Sequence, residues 1–377
     1  MVSATKRGRV LAASLADRRA IIVWWATSRM LVVVCALTVH WLHRPRGYFG
    51  HALFAQPLGI LEAWDGLWYR HVAGHGYLLL PGQQSDPAFF PLYPLLLKII
   101  GATGISASFG GVVLSTVLFL GALLAFDALG QELVDPMLAR RATLLLAVFP
   151  TSYVCSMVYP ESLVLLTFSL AGLCAVRREW LGCAAFAAVA GLARPEGALL
   201  VLPIGGYVVA HWRVLADNER GRAFAAALAA PAAALSFVLY LAWALRNVFA
   251  WSEAQKAWGR SFRLDGFLST FTHLGAHLSR SAWGMRDVAF FIATLLLLGV
   301  AWRIGFPRTW IALGTLIVLL PLGSSSFESE GRFGLLALPA YWGLAWICRD
   351  RRVFVPLAVI STALLAAATA TVPLVFP

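Results

Sequence analysis

The chain is a succession of apolar segments, most of them about as long as a membrane-spanning helix, joined by short polar connections. A helix needs roughly 20 mostly apolar residues to cross a bilayer. By this measure we count about eleven segments, at 21–42, 107–130, 142–158, 163–176, 180–193, 197–211, 223–249, 287–302, 308–323, 334–348 and 353–373. With 60% hydrophobic and 13% charged residues, the composition is too apolar for a soluble domain. The sequence predicts an all-α, polytopic transmembrane helix bundle that forms one domain over residues 1–377.

Basic residues cluster at every second connection between these segments. The clusters lie before residue 20 and at 140–141, 177–178, 213–222, 303–308 and 349–352. Because Lys and Arg accumulate in cytoplasmic connections, this pattern predicts a cytoplasmic N-terminus. The first segment, 21–42, is too long for the core of a signal peptide, and we expect it to remain as the first span. The two longest connections, about 43–106 and 250–286, then lie outside, so we expect a multi-pass protein of the cell membrane with an extracytoplasmic active site.

The formal net charge of +12 comes from these dispersed clusters and not from one basic face, so no nucleic-acid partner is expected. The five cysteines show no spacing typical of metal ligands or of a disulfide framework. His71 with His75, and His273 with His277, have a spacing of four residues, which would place two rings on one helix face. No carboxylate completes either pair. A divalent metal is therefore not indicated, although the sequence leaves a metal requirement open.

The most informative segment of the outer connections is Trp64-Asp65-Gly66-Leu67-Trp68-Tyr69, a polar, aromatic stretch that bears a carboxylate. It places a carboxylate among aromatic side chains just beyond the first apolar segment, at the depth where lipid headgroups lie. We expect the aromatic neighbours to desolvate Asp65 and to raise its basicity, as a general base requires. Asp65 is therefore the predicted catalytic base, with Trp64, Trp68 and Tyr69 as substrate contacts. The competing interpretation is that Asp65 is an N-cap of a short interfacial helix.

Four further residues are candidates for substrate binding. Asp86 precedes a proline- and aromatic-rich segment, where it would hold a sugar or the Asp65 loop, or would only form an Asp-Pro turn. Glu161 stands at a helix start, where helix capping explains it as well as sugar binding does. Arg194 lies at an outer turn beside Glu196, so an ion pair is as good an explanation as a ligand contact. Lys98 is a candidate cation for a phosphate group.

Arg332 follows the polar turn 324–331 and lies near the start of a helix. A cation gains nothing from the helix dipole at that position, so an anionic partner is expected. We assign Arg332 to the phosphate of a donor substrate. A salt bridge to Glu328 or Glu330 is the alternative.

Taken together, the outer motifs resemble those of the PIG-V-like mannosyltransferases, which belong to the GT-C class of integral-membrane glycosyltransferases. The segments that carry the resemblance are 64–69, 76–77, 89–94, 149–151, 159–162, 192–197 and 331–333. The resemblance implies a GT-C-type bundle in which a long first outer loop carries interfacial helices. It also implies a catalytic acid in that loop, and Asp65 matches this acid.

The resemblance further implies what the protein acts on. The donor would be a polyprenyl-phosphate sugar, with mannose as the expected sugar, and the acceptor would be a glycolipid or a cell-envelope glycan at the membrane. Transfer would invert the anomeric centre. A polytopic transporter or lipid flippase is the alternative function, and Asp127 and Glu132, near the inner end of the second segment, are the acids that suit it best.

Overall fold

The computed structural model is all-α, and no strand occurs in the part of the chain that it describes. That part comprises residues 2–42, 56–280 and 282–372, with side chains from residue 18 onward except at 277, 279–280 and 282–283. Helices satisfy their own backbone hydrogen bonds, as a segment in lipid requires. The prediction of a helical protein with no sheet is confirmed over these residues.

Seventeen α-helices are described, and they are numbered here in chain order. The first six are α1 (Val2–Leu42), α2 (Asp65–His75), α3 (Leu92–Ala102), α4 (Ala107–Leu133), α5 (Pro136–Ala147) and α6 (Glu161–Val176). The next six are α7 (Trp180–Ala193), α8 (Val201–His211), α9 (Asp217–Ala244), α10 (Ala250–Ala257), α11 (Leu264–Thr272) and α12 (Leu274–Arg280). The last five are α13 (Ala282–Arg303), α14 (Arg308–Leu319), α15 (Glu330–Leu336), α16 (Leu338–Ile347) and α17 (Arg351–Thr371). Short 3₁₀ helices lie at Gly59–Glu62, Asp86–Ala88, Ser152–Ser156, Pro195–Leu200 and Leu320–Ser324.

Five of the described helices contain a stretch long and apolar enough to cross a membrane. These stretches are Arg18–Leu42, Ala107–Leu133, Asp217–Ala244, Gly284–Arg303 and Arg351–Thr371. Many of their large apolar side chains point outward, including Met30, Trp243 and Val359, which suits a surface in contact with lipid tails. The protein is therefore a helical membrane protein by length and composition.

The other predicted segments are shorter or interrupted in the structure, and 142–158 departs most from a single helix. Helix α5 ends at Ala147, and a 3₁₀ turn begins at Ser152. Buried Arg29 of α1 reaches this break, where it donates hydrogen bonds to the carbonyls of Ala147 at 3.1 Å and Ser152 at 2.6 Å. Ser361 donates to the carbonyl of Val148 at 2.9 Å. The exposed carbonyls of the break are thus satisfied by side chains of other helices, as non-helical backbone within a bundle requires.

Because the chain turns at this break, residues 157–161 lie beside the segment that carries Asp65. The Val158 N–H donates to the Leu61 carbonyl at 2.9 Å, which ties the two segments together through the backbone. Ser115 of α4 donates to the Tyr159 carbonyl at 3.0 Å. The starts of α2 and α6 are therefore held side by side, and each begins with a carboxylate.

Candidate functional site

Asp65 is the first residue of α2, and its backbone is fixed from both sides. The Tyr159 hydroxyl donates to the Ala63 carbonyl at 3.0 Å and accepts the Asp65 N–H at 3.2 Å. Trp64, the N-cap of α2, has a φ of 58°, a left-handed conformation that is costly for a bulky residue. No side chain caps this helix, so the interpretation of Asp65 as an N-cap is wrong. Its carboxylate is only 7% exposed and benefits from the helix dipole.

The carboxylate of Asp65 faces Arg332, which lies in the first turn of α15. Oδ2 of Asp65 accepts a hydrogen bond from Arg332 at 2.6 Å, and Oδ1 lies 3.8 Å from the Arg260 guanidinium. Burial raises the pKa of Asp65, but the charges of Arg332 and Arg260 outweigh burial and hold the pKa below its ordinary value. The expectation of raised basicity is therefore wrong, because the sequence could not reveal these two cations.

Glu161 and Arg194 extend this contact into a buried chain of charges. Glu161, the first residue of α6, is fully buried and contacts both arginines: Arg194 donates to its Oε1, and the Nε of Arg332 lies 3.1 Å from the same oxygen. Arg194 also donates two hydrogen bonds of 3.0 Å to the two carboxylate oxygens of Glu196, in the fork geometry typical of arginine. Three carboxylates thus surround two guanidinium groups, of which that of Arg194 is buried and that of Arg332 is partly buried. We call Asp65, Glu161, Arg194, Glu196 and Arg332 the charge cluster.

The sequence identified Glu161 and Arg194 as candidates, and the structure brings both to Asp65. Pro160 occupies the N-cap of α6, and no side chain caps that helix. The capping interpretation of Glu161 is therefore wrong. Arg332 does have anionic partners, as its position predicted, but they are Asp65 and Glu161 in place of Glu328 or Glu330.

Helix α15 is held in place by Asp287 of α13. The two oxygens of this buried carboxylate accept the N–H groups of Ser329 at 3.0 Å and Gly331 at 3.3 Å. Ser329 has a φ of 67° and precedes the helix, so Asp287 satisfies the start of α15 where the local side chain does not. Gly331 packs so closely that an added Cβ would lie 2.9 Å from Thr151. We call the two hydrogen bonds that Asp287 accepts the clamp, and they fix the turn that precedes Arg332.

Glu330 lies beside the clamp and behaves differently from the acids of the charge cluster. It is fully buried, and neither carboxylate oxygen has a hydrogen-bond partner among the described residues. Burial, reinforced by the charge of Asp287, raises the pKa of Glu330 to about 9. Glu330 is therefore a neutral carboxylic acid near neutral pH.

An aromatic wall covers one side of the Asp65 helix. Trp68 stacks on Phe89 with ring centroids 5.8 Å apart, and Trp258 meets both rings edge-on at 5.2 and 5.4 Å. Tyr69 packs edge-on against Phe89 at 5.2 Å on the buried side. Trp258 also donates to the Ser85 carbonyl at 3.3 Å, and the guanidinium of Arg260 lies 5.2 Å from the centre of its ring. Such faces suit the apolar side of a sugar ring or a prenyl chain.

Asp86 and Lys98 lie apart from the charge cluster. Asp86 is buried, accepts the Leu78 N–H at 3.1 Å, and lies 3.8 Å from His71. Burial raises the pKa of Asp86, although the Leu78 hydrogen bond opposes this rise. Its observed role is to hold the loop that leads to Phe89. Lys98 is exposed on α3 and forms no ion pair with the charge cluster within the described part of the chain.

No group of three or more His, Cys, Asp or Glu residues is arranged to hold a metal ion among the side chains described. His71 and His75 stack on each other with ring centroids 4.5 Å apart. The His277 side chain lies outside the described part of the chain, so its pairing with His273 is not described.

Four residues of the site were not selected from the sequence: Glu196, Trp258, Arg260 and Asp287. Glu196 was visible as a neighbour of Arg194 in an outer turn. The other three lie in the connection 250–286 or within α13, where no local pattern distinguishes them from ordinary loop and helix residues. Only the folded chain shows that Arg260 faces Asp65, that Trp258 packs on Trp68, and that Asp287 holds the turn before Arg332.

The arrangement can supply an ionised carboxylate with one oxygen held by an arginine and the other turned toward a second, more exposed arginine. A carboxylate so placed can accept a proton, and the adjacent cations can stabilise negative charge that develops on a substrate. A scan of protein-family models finds no match to this chain, and a search of curated protein sequences finds none either.

Proposed function

We propose that this chain is an integral-membrane glycosyltransferase that transfers a sugar, mannose by its resemblance to the PIG-V-like enzymes, from a polyprenyl-phosphate donor to a glycolipid or cell-envelope glycan. The observation that carries the proposal is the Asp65 carboxylate at the start of α2, ionised by Arg332 and flanked by the wall of Trp68, Phe89 and Trp258. This combination suits a substrate with a hydroxyl to deprotonate, an apolar carrier and a phosphate.

The proposed topology has about eleven spans, some of them interrupted, with a cytoplasmic N-terminus. Helices α2 and α3 would then lie at the outer surface, and the charge cluster would face the extracytoplasmic side. The basic clusters on the opposite connections support this orientation. Asp127 and Glu132, the two acids that suited a transporter best, form ion pairs of 2.9 Å with Arg140 and Arg177, which account for their charges without a transported ion.

In the proposed reaction, the acceptor hydroxyl attacks the anomeric carbon while the bond from that carbon to the phosphate oxygen breaks. The hydroxyl proton passes to Oδ1 of Asp65, because Oδ2 is engaged by Arg332. The electron pair of the broken bond leaves with the lipid phosphate. Such a leaving group needs little protonation, so one base and neighbouring cations suffice, and the low pKa of Asp65 keeps that base ionised.

Reconstitution tests the proposal directly. The full-length protein, purified and inserted into sealed vesicles, is given a radiolabelled polyprenyl-phosphate mannose and a lipid extract as acceptor, with no ion gradient. We expect label to appear in a new glycolipid or glycan. Movement of the donor across the bilayer without any new product would instead identify a flippase, and it would contradict the proposed function.

A further inference from the structure

The three arginines around Asp65 differ in how many of their N–H groups are already used. Arg194 is 5% exposed and donates to both Glu161 and Glu196. The side chain of Arg332 is 13% exposed and contacts Asp65 and Glu161. Both are largely enclosed members of the charge cluster, and releasing either one would leave a buried carboxylate without its partner, which is costly.

Arg260 differs from both in exposure and in partners. Its side chain is 40% exposed, and the one carboxylate recorded near it in the described structure is Asp65, at 3.8 Å. This separation is too long for a hydrogen bond, so the attraction is electrostatic only. The guanidinium lies on the face of Trp258 and keeps its donors available to a ligand.

The backbone around Arg260 suits this position at the edge of the site. Its N–H donates to the Gln255 carbonyl at 2.8 Å, which closes the turn after α10. Gly259 has a φ of 70°, a conformation that favours glycine, and an added Cβ there would meet no atom within 4 Å. Arg260 therefore stands on a tight, exposed turn, with its side chain between solvent and the Asp65 carboxylate.

We infer that Arg260, and not Arg332, binds the phosphate of the lipid-linked donor, and that it shifts from Asp65 to this phosphate when the donor enters. The inference rests on the proposed function. A phosphate accepts two parallel hydrogen bonds from a guanidinium and so outcompetes a carboxylate held at 3.8 Å. The exchange also leaves Oδ1 of Asp65 without a facing cation. The carboxylate then becomes more basic when the donor is bound, which couples donor binding to deprotonation of the acceptor.

In this arrangement Arg332 has a different role. It holds Oδ2 of Asp65 throughout and fixes the orientation of the carboxylate, while Trp258, two residues before Arg260 in the chain, lies against the carrier or the sugar. The turn 258–260 is thus a substrate-binding element of the second outer connection that the sequence motifs did not reveal.

Binding of a simple prenyl phosphate tests the inference without relying on turnover. Radiolabelled farnesyl phosphate and its uncharged analogue farnesol are titrated against the full-length protein in detergent. Arg260→Gln is compared with wild type and with Arg263→Gln. Arg263 is a matched control, because it lies three residues further along the same connection and pairs with exposed Asp265, away from Asp65.

We expect Arg260→Gln to weaken farnesyl phosphate binding by roughly tenfold or more, since a charge-assisted contact is lost. Farnesol binding should be unchanged, and Arg263→Gln should behave like wild type in both titrations. Inorganic phosphate, used as a competitor, separates a lipid-linked ligand from a free anion. Displacement of farnesyl phosphate by an equal concentration of inorganic phosphate would contradict the lipid-linked assignment.

Wild-type affinity for farnesyl phosphate in Arg260→Gln would overturn the inference while leaving the proposed function intact, provided that sugar transfer is observed. If Arg332→Gln loses affinity for farnesyl phosphate and Arg260→Gln does not, the phosphate contact belongs to Arg332, and the inference about Arg260 is overturned. If the wild-type protein neither binds farnesyl phosphate nor transfers sugar, the proposed function fails and the inference fails with it.

Discussion

The guanidinium of Arg332 donates a 2.6 Å hydrogen bond to Oδ2 of Asp65, although 267 positions separate the two residues in the chain. This contact joins the start of α2 to the start of α15. Glu161 of α6 contacts the same guanidinium, with its Oε1 3.1 Å from the Nε of Arg332. The site is therefore assembled from three helix starts, of which α2 and α6 supply the carboxylates of Asp65 and Glu161 and α15 supplies the guanidinium of Arg332.

Replacing Arg332 should change the pH dependence of catalysis. Arg332→Gln removes the cation that most favours the ionised form of Asp65, so the pKa of Asp65 should rise. The acid limb of the pH profile of kcat/KM should then move to higher pH, and kcat should fall because the carboxylate loses its anchor. Arg332→Lys keeps the charge and should shift the limb less. An unchanged acid limb in Arg332→Gln would show that this arginine does not control Asp65.

Glu161 should be important for stability as well as for activity. Glu161→Gln leaves Arg194 and Arg332 close together with one negative charge fewer between them, and breaking a buried ion pair costs about 3–5 kcal/mol. Glu132→Gln is the control, because its pair with Arg177 is exposed and should contribute about 1 kcal/mol or less. Denaturant unfolding in detergent compares the two. Equal losses of unfolding free energy would contradict the buried, bridging role of Glu161.

Asp287 should act through the position of Arg332. Asp287→Ala removes both acceptors for the N–H groups of Ser329 and Gly331, whereas Asp287→Asn keeps one oxygen, so the Ala variant should be the less active. We expect kcat to fall by about tenfold or more in Asp287→Ala, with partial rescue in Asp287→Asn. In a double-mutant cycle the loss should not add to that of Arg332→Gln. Full additivity would mean that Asp287 acts independently of Arg332.

Glu330 should make stability depend on pH. Its pKa is about 9 in the folded protein, above the ordinary value of 4.5, so the folded state retains a proton that the unfolded state releases. The stabilising contribution of this proton is complete below about pH 4.5 and is lost progressively as the pH rises toward 9. Glu330→Gln cannot ionise, so its melting temperature should fall less than that of wild type over this range. Parallel melting curves at all pH values would exclude a neutral Glu330.

Local sequence patterns predicted part of this site and part of the fold. The helix-length apolar segments predicted helices, and the aromatic setting of Asp65 identified the central acid. The argument that a cation near a helix start needs an anion predicted an anionic partner for Arg332, but it named a donor phosphate, with Glu328 or Glu330 as the alternative. The true partners come from α2 and α6, because the folded chain brings together helix starts that are distant in sequence.

Most of the remaining features depend on tertiary contacts that no local pattern contains. The segment 142–158 is as apolar as a continuous helix, yet it breaks after Ala147, just before Pro150, and Arg29 of another helix satisfies the freed carbonyls. In the same way, desolvation alone predicted a more basic Asp65. Two arginines that are distant in sequence, Arg332 and Arg260, instead lower the pKa of Asp65. Arg260 is a candidate only because the structure places it 3.8 Å from Asp65.

The central claim is that Asp65 removes a proton from an acceptor hydroxyl during sugar transfer. Asp65→Asn keeps the shape of the side chain and an acceptor oxygen for Arg332, but it removes the base. In the reconstituted assay we predict a fall in transfer rate of about a hundredfold to ten-thousandfold, with folding retained and with Asp265→Asn, an exposed control, as active as wild type. Transfer by Asp65→Asn at close to the wild-type rate would contradict the account.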